Sequence, residues 1–285
     1  MASVEFHREV NFPDSDLRAV QKDGVWCFKR GETYYPSVNE IVQRVPFNHP
    51  MEGELHEPLF PLENYDRSVE NPERVREYAG LVGRTAHLNL QESLEDDYRS
   101  THKRDDIKVQ LLDPNTGTEA EVVSTLKDYY PDRFIFDDLA KQAQSDARDI
   151  TSRVKDALCD LIDAETYAAA KMQVIRCEHA ETTNFLNEEH KHGDAGYAGR
   201  IDLLLLHPDT EEVILVEIKT SKRVTNASKM QTVALHQLDS LDINSAVIVR
   251  AGRNDYRIHE ADEWAERRLY NRFKAEAITL FQEIN

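Results

Sequence analysis

Cysteine is scarce in this chain. There are three residues, Cys27, Cys159 and Cys177, far apart and none in a CxxC pair. Three thiols cannot furnish a four-cysteine cluster, so an iron–sulfur centre is excluded. Their plain role is that of small buried hydrophobes. Long apolar runs are also missing, and the ones present are far too short to cross a bilayer, so no membrane association is expected. Residues 1–7 lack a basic stretch followed by an apolar one, which predicts no secretion signal and a soluble, cytoplasmic setting. No GxxxxGK[ST] loop is present, so no nucleotide cofactor is expected. Repeats and low-complexity tracts are absent too. Basic charge is in deficit, with 35 Lys and Arg against 53 Asp and Glu and a net charge of −18.

What remains is ordinary globular composition. Hydrophobic residues make up 40% of 285, enough for one sizeable core in a single domain. The acidic excess is uneven. Residues 210–285 carry 11 basic and 12 acidic side chains, whereas the rest of the chain carries 24 against 41. Between 219 and 257 the balance reverses to 7 basic against 3 acidic. Salt screens exposed charges beyond about 8–10 Å, so a locally basic groove on an acidic protein can still face phosphates.

Apolar runs and turn residues divide the chain. Residues 24–38 read as a hairpin with Lys29-Arg30-Gly31-Glu32 as its turn, followed by Ser37 as the cap of a short helix. Residues 51–71 read as loop. Pro72 opens a helix to about residue 95. Asp113-Pro114-Asn115-Thr116-Gly117 reads as a turn and 137–171 as strongly helical, so 96–171 is expected to form a helical insertion or cap. Strands are expected at 172–178 and 182–188. A hairpin over 200–218 follows, then a helix at 227–241 and a strand at 246–250. From 262 onward Ala265, Leu269, Phe273, Ala277, Leu280 and Ile284 mark an amphipathic helix. The order αβββαβ around one sheet indicates an α/β or α+β fold.

Chemistry concentrates in the 200–218 hairpin. Two apolar runs, 203–206 and 213–216, are split by His207-Pro208-Asp209-Thr210, which brings Asp202 beside Glu217 and Lys219. Glu217 and Lys219, two apart on a strand, share a face. A strand this apolar is buried on both sides, where a carboxylate and an ammonium must be paired or metal-bound. Two carboxylates and an ammonium can hold a hard divalent cation and activate a water, as phosphodiester hydrolysis requires. The plain alternatives are a structural ion pair at the strand's exposed end and, for Asp202, a cap or turn at the mouth of its strand. Gly199, just upstream, lets the backbone pass closely or bend.

Asp202, Glu217 and Lys219, with Thr220-Ser221 behind the lysine, resemble the core motif of the PD-(D/E)XK nuclease superfamily. Gly83-Arg84-Thr85-Ala86-His87 on the upstream helix resembles the GxxxH of its RecB-like branch, with Gly83 and His87 one helical turn apart. Gln231 resembles the glutamine of that branch's QxxxY motif, although Leu235 stands where the tyrosine is expected, and His236-Gln237 offers a rival register. Tyr34-Tyr35-Pro36-Ser37-Val38 is similar to the opening of phage-type and mitochondrial RecB-like exonucleases.

The resemblance implies an α/β fold with a restriction-endonuclease-like core, a mixed central sheet flanked by helices, and a metal-dependent DNA exonuclease of replication, recombination or repair, with DNA as substrate. It implies Mg²⁺ or Mn²⁺ held by Asp202, Glu217 and the Ile218 carbonyl, with His87 as a further ligand. Lys219 would orient the attacking water, and Gln231 would order the site. Glu178 on the preceding strand is a second-tier ligand candidate. Lys222, Arg223 and Lys229 are candidates for phosphate contacts; as exposed charges they have a solvated role as the alternative. Any unwinding would come from a helicase or recombination partner. The competing readings are a restriction-type or CRISPR-adaptation-type endonuclease, and a non-catalytic DNA-binding subunit derived from a nuclease.

Overall fold

The computed structural model describes residues 6–11, 16–45, 72–94, 123–124, 126–127, 138–184, 195–221, 223–238, 242–260 and 266–285. The 51–71 loop, the 113–117 turn and most of 96–137 lie outside these residues, as does Lys222. Among the described residues no helix is long and apolar enough to cross a membrane.

The centre is a five-stranded mixed sheet. Strands β5 (Val174–Asn184), β6 (Gly196–Leu206) and β7 (Val213–Lys219) run antiparallel in sequence order. β8 (Ser245–Ala251) is parallel to β7, and β9 (Tyr256–Glu260) closes the edge antiparallel to β8. The β7–β8 pair must be parallel because a helix, α5 (Asn226–His236), makes the crossover between them. Four N-terminal strands, β1 (Phe6–Asn11), β2 (Arg18–Lys22), β3 (Val25–Arg30) and β4 (Thr33–Pro36), form a separate antiparallel sheet. A single bridge, Ser37 to Ala198, joins its end to β6.

Helices cover both faces of the central sheet. On one face α2 (Pro72–Leu94) and α3 (Leu139–Leu161) pack over Leu203, Leu205, Val216, Ile218, Val247 and Val249. On the other, α1 (Val38–Arg44), α5 and α6 (Glu266–Ile284) cover Leu204, Leu215, Ala246 and Ile248. The alternation of these two sets along β7 and β8 is the two-residue period of a strand buried on both sides. Side-chain caps start the helices. Ser37 accepts from the Glu40 amide, Asp138 from Lys141 and Thr225 from Ser228. The two helices on the first face are tied by buried polar contacts: Tyr78 Oη donates to Asp146 Oδ2 at 2.8 Å, and Thr151 Oγ1 donates to the Ala86 carbonyl at 3.2 Å. Arg253, in the β8–β9 turn, joins Asp146 at 2.7 Å.

Several expectations change. The strands expected at 172–178 and 182–188 are one strand, β5, as far as Asn184, because Ala180, Thr182 and Thr183 are buried and pair without a break with Arg200, Ala198 and Tyr197 of β6; 185–188 lie outside the described residues. The 137–171 stretch is two helices, α3 and α4 (Tyr167–Met172), separated where Asp163 takes a left-handed φ of 54° and Thr166 caps the second. The helix expected over 227–241 ends at His236, with Gln237 as its cap. Asp202 is not at a strand mouth: β6 begins six residues earlier, at Gly196, and Asp202 lies within it. Strands β1, β2 and β9 are additions, and the αβββαβ order gains both the N-terminal sheet and the edge strand. Segment 139–161, expected within an insertion, packs directly on the central sheet as α3.

Gly199 sits where three elements meet. A Cβ there would lie 2.3 Å from Leu235 Cδ2 and 3.0 Å from Val38 Cγ2. Leu235 is buried, and Val38 closes in from a second element. Gly199→Ala is therefore expected to destabilise the fold by about 1–3 kcal/mol in chemical denaturation. The double variant Gly199→Ala/Leu235→Ala should cost less than the sum of the two single changes, because the second makes room for the first.

Candidate functional site

The ladder between β6 and β7 stops at Leu203 and Val216. Tyr197 and Ile201 pack toward α5 and α6, and so does Leu204, so the parity of β6 switches around Asp202. There the Asp202 side chain replaces a main-chain partner: its Oδ2 accepts from the Ile218 amide at 2.8 Å. That bond fixes one carboxylate oxygen and leaves Oδ1 directed toward α2, where His87 Nδ1 stands 3.6 Å away. This distance is outside hydrogen-bond reach but close enough for charge to be felt. Gly83, one turn before His87, brings α2 against the end of β7, since a Cβ on it would come within 2.7 Å of Thr220 Oγ1.

Glu217 is 1% exposed, which removes the reading of an ion pair at an exposed strand end. Its Oε1 accepts from Lys219 Nζ at 2.5 Å, while Oε2 is buried with no hydrogen-bond partner. Lys219 Nζ also donates to Gln231 Oε1 at 2.8 Å, so the ammonium is held between a strand and α5. Since lysine only donates, the contact fixes the Gln231 amide with its oxygen toward Lys219. Burial pushes the Glu217 carboxyl up, and the neighbouring Asp202 pushes it further. Lys219 and His87 pull it back only in part, leaving it at about 7.

A cavity of about 200 Å³ opens beside the cluster, lined by Trp26, Ser37, Asn39, Arg200, Asp202 and Gln231 among others. Trp26 is 38% exposed, unusual for so large an apolar side chain. The cavity therefore joins the N-terminal sheet to Asp202 and Gln231.

Of the residues singled out in the sequence, Asp202, Glu217, Lys219, Gln231 and His87 come together, drawn from β6, β7, α5 and α2. Ile218 joins them through its backbone. Gln231, not Gln237, is the glutamine in contact. Glu178 lies on β5 between Cys177, paired with Leu203, and His179, paired with Ile201, which sets its backbone opposite Asp202; its side chain lies outside the described residues. Arg223 and Lys229 are elsewhere, in a groove with Arg250, Arg257 and His259. Those last three, with Trp26 and Arg200, were not foreseen. The alternation of Tyr256 and Ile258 with Arg257 and His259 was the signal for β9 and its outward cations.

Among the described residues, no three or more His, Cys, Asp or Glu side chains form a ready-made metal cage. The donor set nevertheless suits a hard ion such as Mg²⁺, which binds through one or two carboxylates and takes its other ligands from water and phosphate. The orphaned Glu217 Oε2 is the atom such an ion would satisfy.

This burial has a measurable sign. Native Glu217 keeps a proton that the unfolded chain releases between its ordinary value of 4.5 and about 7, so stability falls as pH rises through that window. Glu217→Gln keeps the shape without the charge. In chelator above pH about 7 it is expected to melt higher than the wild type, with the gap closing as pH falls toward 4.5. Added Mg²⁺ or Mn²⁺ should raise the melting temperature of the wild type and not of the variant, read by differential scanning fluorimetry.

No protein-family model and no curated protein sequence matches the chain. A solved structure described as "Crystal structure of SSO0001" is similar at 16% identity and a TM-score of 0.31, covering 70% of this chain and 84% of that one. A score of this size does not establish a shared fold.

Proposed function

We propose that this protein is a Mg²⁺- or Mn²⁺-dependent deoxyribonuclease with a restriction-endonuclease-like core, acting as a RecB-like exonuclease. The observation that carries the reading is the convergence of Asp202, Glu217 and Lys219 at the end of β7, with a buried Glu217 oxygen that has no partner. The strand directions support it as well: three antiparallel strands, a helical crossover, then a parallel fourth strand.

Asp202, Glu217 and the Ile218 carbonyl would hold the ion, with His87 at its edge. When bound, the ion supplies an acidified water and neutralises charge on the scissile phosphate. Asp202 stays positioned because its second oxygen is spent on the Ile218 amide. Lys219 Nζ, held by Glu217 and Gln231, is the donor placed to orient the water and to stabilise charge developing on the phosphate oxygens. Gln231 positions that ammonium. The covered face behind Glu217 keeps bulk water from screening these charges. A GxxxH helix contributing an imidazole favours the exonuclease branch over the endonuclease alternatives.

The test is cleavage of end-labelled single- and double-stranded DNA with Mg²⁺ or Mn²⁺. Lys219→Ala is expected to lose activity by about 100-fold or more, the size typical of removing one such donor, while keeping the fold and the divalent-ion-induced rise in melting temperature. Wild-type-like cleavage by that variant would remove Lys219 from the chemistry, and an inactive wild type would remove the reading itself.

A further inference from the structure

A second concavity, of about 500 Å³, is lined by Arg223, Val224, Lys229, Arg250, Asp255, Arg257 and His259. Four of these side chains are permanent cations and one is a carboxylate. This is the reverse of the chain as a whole, whose net charge is −18. The one carboxylate, Asp255, pairs with Arg250 at 2.6 Å. It anchors that guanidinium, and no second carboxylate is among the lining residues.

Strand register explains why they gather. Lys219 of β7 is aligned with Arg250 of β8, and Arg250 with Arg257 of β9. Residues aligned across neighbouring strands share a face. Ile248, two before Arg250, packs under α5, which identifies the face as the one carrying Glu217 and Lys219. Strands lie about 4.8 Å apart, so the three cations form a row about 10 Å long from the candidate site to the sheet edge. Arg223 and Lys229, from the β7–α5 connection and the first turn of α5, flank it. Four cations against one carboxylate give the concavity a local positive potential that attracts anions.

We infer that this row is a phosphate track: it binds the sugar–phosphate backbone of a nucleic-acid strand and leads it to Lys219. The inference rests on the nuclease reading for the identity of the strand, not for the anionic character of the ligand. A row of this length meets about two or three phosphates and reads no bases, so binding is sequence-independent and salt-sensitive.

The experiment is fluorescence anisotropy of labelled oligothymidylate in EDTA, which prevents cleavage, across a series of salt concentrations. Arg223 and Arg257 are exposed, so Arg223→Ala/Arg257→Ala is expected to fold normally. It should bind about tenfold or more weakly, with the slope of log affinity against log salt reduced by about 1.4, the value for two lost contacts to a single strand. Arg223→Lys/Arg257→Lys should restore the slope. Unchanged affinity and slope in the alanine variant would overturn the track. So would competition by inorganic phosphate as strong as that of oligothymidylate at equal phosphate concentration, because that marks a single-ion site. Salt-dependent binding by a wild type that cuts no DNA leaves the track standing and removes the nuclease reading. Cleavage by the wild type with unaltered binding in the alanine variant does the opposite.

Discussion

The candidate site is organised around the burial of one carboxylate. Glu217 is placed on a strand sealed on both faces, with one oxygen on Lys219 and the other on nothing. A charge so placed is costly unless it is compensated, and a lysine two residues along compensates it only in part. The surroundings bear on that imbalance in opposite ways: an aspartate turned into the same space adds to it, while a glutamine fixes the ammonium and an imidazole comes close on a helix whose glycine allows the approach. Each of these contacts ties a different element to the end of β7. The fold and the proposed chemistry therefore meet at one residue, and the divalent cation proposed above would relieve the conflict between them.

Much of the site was legible in the sequence because it is made of local spacing. Glu217 and Lys219 share a face by the period of a strand, and Asp202 reaches them across a hairpin whose turn is written in His207-Pro208-Asp209-Thr210. Gly83 and His87 share a face by the period of a helix. These are short-range facts that composition cannot disguise. The expectation that Gly199 permits close passage also holds, although its partners, Leu235 and Val38, could not be named from sequence. The position where a tyrosine was expected holds a leucine that fills this contact.

What was not legible depends on registration between distant strands. Arg250 and Arg257 look like scattered surface charge along the chain, and they become a row only once β8 lies parallel to β7 and β9 folds back on it. The continuity of β5 likewise depends on its ladder with β6, not on its own residues. The break near Asp163 depends on one left-handed residue within an otherwise helical composition. β1 and β2 carry little apolar alternation of their own. They are held by pairing, and Val20 of β2 joins a core shared with α1, a tertiary effect that overrides weak local preference.

The bond from the Ile218 amide to Asp202 has an evolutionary corollary. Any side chain at 202 that cannot accept would strand a buried main-chain donor, so this position answers to folding before it answers to catalysis. Asparagine alone among close substitutes keeps an acceptor there while discarding the negative charge. If the proposed chemistry were lost, asparagine at 202 would keep the bond to the Ile218 amide, so the fold could outlast the activity.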